Sequence, residues 1–227
     1  GRSFDDIRAA ARRTWNDDLG RIRVEGGTEA QKKVFYTGLY HALIHPNVLS
    51  DVNGEYPAME SAEIRTAEGN RYTVFSLWDT YRNLHQLLTL VYPERQLEMV
   101  RSMVGMYREW GWLPKWELYG RETFTMEGDP SIPVIVDTWM KGLRDFDMDA
   151  AYEAMRKSAT TPGARNRMRP DIDPYIEKGY VPLGFYARDL SGDNSVSHAL
   201  EYYIADHALS LLADSLGKKD DAALFRA

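Results

Sequence analysis

At 227 residues, 44% of them hydrophobic and 12% aromatic, the chain is long enough for one large domain or two small ones with a substantial core. Its net charge of −6 comes from 28 basic and 34 acidic residues scattered rather than striped, which argues against a nucleic-acid partner. The absence of cysteine excludes disulfides, thiol catalysis and zinc–thiolate sites, and no apolar run approaches the roughly 18 residues of a membrane span.

Taken in order, the chain reads mostly as helix. Ser3 caps a first helix carrying Phe4, Ile7, Ala11, Trp15 and Leu19 on one side, expected to face a core, with Asp6 completing a capping box. Thr28 starts a second, from Glu29 to about Ile44, ended by Pro46 because the residue before proline is pushed out of helical geometry. The stretches "DVNGEY" and "IRTAEGNRYTVF" carry turn signals at Asn53-Gly54 and Glu68-Gly69-Asn70 between strand-like residues, which predicts a short β-hairpin. A third helix runs from near Trp78 to Val91, and Pro93 opens a fourth that Gly111 closes. Asp129 with Pro130 starts a fifth, Asp147 caps a sixth, and Ser195 or Ser197 leads a seventh to Gly217 before a short eighth. Long loops after every second helix suggest helical hairpins packed side by side, as in an α/α toroid or an α-solenoid.

The five histidines, His41, His45, His85, His198 and His207, form no HExxH or clustered spacing, so no histidine-built metal site is expected. His41 and His85 lie on apolar helical stretches and read as satisfied core imidazoles. The loops "SDVNGEY", "GWLPKWELYGRETFTMEGDP" and "PLGFYARDLSGDNS" are too long and too aromatic for simple connectors and read as walls of a site. A sugar ring suits such walls, because its C–H faces lie on aromatic rings while carboxylates and Arg satisfy its hydroxyls. Trp78, Asp79 and Arg82 in "FSLWDTYRN", with Trp112, Trp116, Glu117, Tyr119, Glu122, Glu127 and Asp129, supply that mixture. Asp79 and Arg82, three apart at a helix start, would share one face and grip a vicinal diol. Each also has a plainer reading. Asp79 suits a helix N-terminus with Arg82 as its partner, Asp129 suits a cap, the tryptophans suit a core, and Glu201 suits either a surface ion pair or a pocket carboxylate.

Four blocks, "FYTGLYHALIHPNVLSDVNGEY" (35–56), "YTVFSLWDTYRNLHQLLTLVYPE" (72–94), "GDPSIPVIVDTWMKG" (128–142) and "SVSHALEYYIADHALSLLADSLGKKDDAALF" (195–225), closely resemble the catalytic module of glycoside hydrolase family 92. The resemblance implies a calcium-dependent, inverting, exo-acting α-mannosidase with an (α/α)6 toroid beside a β-sandwich. It implies an all-α fold here, residues 1–227 being the first part, about half, of that toroid, with the short β-hairpin between the second and third helices. By resemblance Asp79 binds mannose hydroxyls, Trp78 and Arg82 shape the pocket, Asp129 lies near it, and Glu122 and Glu201 also touch substrate. Gly128-Asp129-Pro130-Ser131 departs from the family's usual GDHA-like run. The family's acid, a Glu in an EGNAWQY-like block, and its base, an Asp in a GNDDCGQMS-like block, are expected beyond position 227 together with the calcium ligands. The catalytic pair and the metal site are therefore not expected within these residues. The implied partners are a mannose-containing oligosaccharide and the remaining β-sandwich and C-terminal parts of the same polypeptide, in a secreted or periplasmic enzyme. Where the rest of a toroid belongs, this stretch is expected to expose apolar surface. Two other readings share the helical hairpins and aromatic loops: a different α/α-toroid lyase or epimerase, with its His or Tyr base inside the toroid, and a non-catalytic helical binding module.

Overall fold

A computed structural model describes residues 1–184 and 194–226, so most of the loop expected over 182–195 lies outside the described residues. The chain divides into two compact units, Gly1–His45 and Pro46–Ala227. The first unit holds α1 (Phe4–Leu19) and α2 (Glu29–Ala42), and both open on full capping boxes, Ser3 with Asp6 and Thr28 with Gln31. The helices form where the caps and the 3.6-residue pattern put them. The apolar side of α1 finds little core, however: no residue of α1 is buried, Phe4 is 77% exposed, and Trp15 packs on the ring of Tyr40 at 4.6 Å. A helix pair of this size has too few apolar partners to enclose that side.

The second unit opens with small antiparallel pairings. Strand β1 (Asn47–Val48) precedes β2 (Glu55–Pro57), β3 (Ile64–Thr66) and β4 (Tyr72–Thr73), with the β2–β3 hairpin nested inside the β1–β4 pair. The predicted hairpin is present, and among the described residues it is one of three small sheets rather than the only β-structure. The third sheet joins β5 (Phe75–Ser76) to β6 (Trp116–Leu118) and β7 (Arg121–Glu122), inside a stretch expected to be loop. Tyr119 and Gly120 turn β6 into β7 with φ of 51° and 82°, two consecutive left-handed residues that match the twist of a hairpin.

The expected third helix is two. A single turn, α3 (Leu77–Thr80), is separated from α4 (Leu84–Val91), because Asn83 leaves helical geometry at φ −156° and the Tyr81 carbonyl accepts from the Gln86 side chain instead of continuing the helical ladder. Then come α5 (Pro93–Trp110), stopped by Gly111 at φ 93°, α6 (Ser131–Met140) and α7 (Met148–Thr160), which Asp147 caps through the Ala150 N–H. Asp129 does not cap α6: the N-cap is Pro130, and no side chain bonds there. The Pro- and Arg-rich stretch contains α8 (Ile172–Lys178), which sequence periodicity did not mark, and it leads to α9 (Ser195–Ser215) and α10 (Lys219–Leu224).

Packing follows a regular scheme. The consecutive pairs α4/α5, α6/α7 and α9/α10 each pack together, while α6 also contacts α4 and α9, and α7 contacts α5 and α9. Leu88, Val100, Met103, Ile132, Ile135, Met155, Tyr202 and Leu209 fill the space between them.

One polar residue in this core makes stability depend on pH. Burial of His85 lowers its pKa to about 4, opposed by its bond to Gln96 and by the nearby charge of Asp137. The folded protein therefore keeps this imidazole neutral where the unfolded chain, near pH 6.5, takes up a proton. Its contribution is complete above about pH 6.5 and is lost as pH falls toward 4, by up to about 3 kcal/mol. Urea titrations of the native protein and His85→Gln should show the native advantage shrinking by about that amount between pH 7 and pH 4. A constant difference would contradict it.

Candidate functional site

The sheet β5–β6–β7 aims α3. Val74, a β-branched residue at φ 61°, sits just before β5 in a conformation that costs about 1–3 kcal/mol. The buried carboxylate of Glu117 accepts from the Val74 N–H at 3.0 Å, the Thr73 hydroxyl at 2.9 Å and the Gly120 N–H at 2.5 Å. Burial raises the pKa of Glu117, and these bonds, led by the one from Gly120, work in the other direction. The strained corner delivers the chain into α3 with its side chains facing two ways.

On the outward side lie Trp78, Asp79 and Arg82. The Arg82 guanidinium lies over the rings of Trp78, at 4.8 Å, and Tyr81, at 5.0 Å. Its Nη2 donates to Glu201 Oε1 at 2.8 Å, and the Tyr81 hydroxyl donates to Glu201 Oε2 at 2.6 Å. Burial, with the bond to Glu201, pushes the Tyr81 phenol up to about 12. Residues about 120 positions apart thus build one aromatic and charged cluster. An ion pair whose Arg side chain is 46% exposed adds at most about 1 kcal/mol to stability.

Gly128 closes against the same carboxylate. Its φ is 81°, and a Cβ there would lie 2.6 Å from Glu201 Cβ, so a side chain is excluded both by backbone and by space. Asp79 is exposed, and its hydrogen-bond partner is the Ser76 hydroxyl at the head of α3. Arg82 pairs with Glu201 rather than with Asp79, so the expected Asp79–Arg82 pincer is rearranged: the guanidinium is held, and the aspartate stands clear.

Two of the six expected site residues are placed differently. Glu122, 7% exposed, accepts the backbone N–H groups of Lys115, Trp116 and Phe124, which folds the 115–124 segment around it. Asp129, 2% exposed, accepts from Ser158 Oγ at 2.6 Å and from Arg169 Nε at 3.1 Å. Both carboxylates are engaged behind the cluster, Asp129 directly after Gly128. The pairing of Asp129 with Arg169 has no local signature, because the partners are 40 residues apart in a stretch without period. A cavity of about 530 Å³ lies elsewhere, against α8, α9 and α10, and none of the six residues lines it. Among the described residues no group of three or more His, Cys, Asp or Glu is placed to hold a metal ion. No helix described is long and apolar enough to cross a membrane.

Comparison with known proteins then gives a consistent picture. The model of the glycosyl hydrolase family 92 catalytic domain matches residues 1–227. A family GH92 α-mannosidase from Bacteroides thetaiotaomicron, solved in complex with mannoimidazole, superposes with a TM-score of 0.87 at 35% identity, over 99% of this chain and 28% of that one. A family GH92 inverting mannosidase from the same species superposes at 0.85 with 33% identity, over 96% of this chain and 29% of the other. A curated relative from Arthroderma benhamiae, described as an uncharacterized secreted glycosidase, is 27% identical over an alignment of 225 positions that covers 96% of this chain and 25% of the relative. The chain thus spans between a quarter and a third of the length of these relatives.

Proposed function

The chain belongs to glycosyl hydrolase family 92, and we propose that it forms one side of the sugar-binding face of an exo-acting α-mannosidase that trims mannose-rich glycans with inversion. The observation that carries this reading is the exposed carboxylate of Asp79 beside the Trp78–Arg82–Glu201 cluster. The indole of Trp78 covers an apolar ring face, Asp79 accepts from ring hydroxyls, and Arg82, locked by Glu201, donates to their oxygens. Glu122 and Asp129 serve the site from behind by fixing the 115–124 segment and the Gly128 turn.

The helix pairs α4/α5, α6/α7 and α9/α10 would be about half of an (α/α)6 toroid within a longer polypeptide. What supports this is α9, which is apolar on a second side: Val196, Leu200, Ile204 and Leu211 repeat at helical spacing and are exposed. Inversion requires one carboxyl to protonate the leaving oxygen and another, about 6.5–9.5 Å away, to deprotonate water on the opposite face. In this reading that pair, and the calcium the resemblance implies, belong to segments outside these residues, and the protein is secreted or periplasmic, the first of these in line with the name of the Arthroderma benhamiae relative.

The test is hydrolysis of α-linked mannobiosides by the full-length polypeptide, followed by NMR. Release of β-mannose as the first anomer, with activity lost on chelation and regained with calcium, is the expected result. A first product of α-mannose, or no turnover of any mannobioside, would rule the reading out.

A further inference from the structure

The inward side of α3 is tied to the core by a chain of hydrogen bonds through buried side chains. The Thr138 hydroxyl on α6 donates to the Val134 carbonyl at 2.7 Å and accepts from Gln96 Nε2 on α5 at 2.8 Å. Gln96 then presents its Oε1 to His85 Nδ1 at 2.9 Å, and His85 Nε2 meets the Thr80 hydroxyl at 2.9 Å. Because Gln96 Oε1 can only accept, Nδ1 carries the imidazole proton, Nε2 is the acceptor, and Thr80 is the donor. Gln96 and Thr138 are fully buried and His85 is 1% exposed, so this ladder has no competing water to exchange with.

Resting on the reading of α3 as a sugar-binding turn, we propose that Thr80 and His85 are positioning residues that set the orientation of Trp78 and Asp79. The helix is only four residues long and has no side-chain cap, so its own hydrogen bonding cannot hold its aim. It is fixed at the front by the buried Leu77, beyond its end by Tyr81 and Arg82 on Glu201, and at its last residue, immediately after Asp79, by Thr80. The Thr80 hydroxyl is turned to His85. Loss of this hydroxyl leaves His85 Nε2 unsatisfied in the core and removes the tie nearest Asp79, so that the turn can shift between its remaining anchors. A displacement of about 1 Å at a binding group is enough to cost up to about a hundredfold in rate.

The experiment compares Thr80→Val, of nearly the same shape, with Thr80→Ser, which keeps the hydroxyl, and with Asp79→Ala, all in the full-length polypeptide on an α-mannobioside. The expected result is a loss of about tenfold or more in kcat/KM for Thr80→Val and recovery to within about twofold for Thr80→Ser. Melting temperatures of all three variants are recorded, and assays run well below the lowest of them. If Asp79→Ala impairs turnover while Thr80→Val does not, or if Val and Ser impair it equally, the positioning role is overturned and the sugar-binding reading stands. If Asp79→Ala has no effect, the sugar-binding reading itself fails, and this inference with it.

Discussion

Replacing Asp79 with alanine is expected to lower kcat/KM on an α-mannobioside by about 100- to 1,000-fold in the full-length polypeptide. A charged acceptor contributes about 1.5–3 kcal/mol per hydrogen bond, and an exposed one lies toward the lower end, so two ring hydroxyls at about 1.5–2 kcal/mol each give about 3–4 kcal/mol in the transition state at about 1.4 kcal/mol per tenfold. The side chain is exposed and bonded to Ser76, so folding stability should move by no more than about 0.5 kcal/mol. That contrast makes the result interpretable. A fall in kcat would place the contact in the transition state, where contacts that strengthen as the ring flattens act. A rise in KM alone would mean that ground and transition states are held equally. An effect below about twofold, with the protein folded, removes Asp79 from the site.

The parts of the fold that can be read from sequence are those encoded locally. Ser3, Thr28, Pro93, Gly111 and Asp147 mark helix ends through interactions within a few residues of themselves, and the structure has helix ends there. The split between α3 and α4 was hidden because every residue from Trp78 to Val91 except Asn83 suits a helix. The break depends on a side chain, Gln86, taking over a backbone acceptor. The Arg82–Glu201 pair and the place of Asp129 were hidden for another reason. Composition showed that carboxylates were available, but whether one stands in solvent or pairs inside depends on which of many distant cations reaches it. Asp129 read as a cap on local chemistry, and a tertiary partner with more to gain from burial took it inward.

That partner sets the second large effect. Arg169 is completely buried, with Nε 3.1 Å from Asp129 Oδ2, Nη1 2.7 Å from Asp206 Oδ1, and its guanidinium 4.8 Å over the Tyr202 ring. Burial disfavours its charge, yet the carboxylates of Asp206 and Asp129 outweigh this and raise its pKa. Arg169→Leu keeps most of the volume but leaves the buried Asp129 without its cation, bonded to the Ser158 hydroxyl, and leaves Asp206, among the described residues, with the Tyr175 hydroxyl at 2.8 Å. Breaking a buried pair from one side typically costs about 3–5 kcal/mol, because the remaining charge is neither hydrated nor matched, and a domain has only about 5–15 kcal/mol in total. The urea midpoint should therefore fall steeply at pH 7. The double variant Asp129→Asn with Arg169→Leu should recover part of the loss, since it removes one stranded charge. A single-variant loss below about 1 kcal/mol would show that Asp129 and Asp206 find other partners. In that case the Gly128 turn would not owe its position against Glu201 to the ion pair behind it.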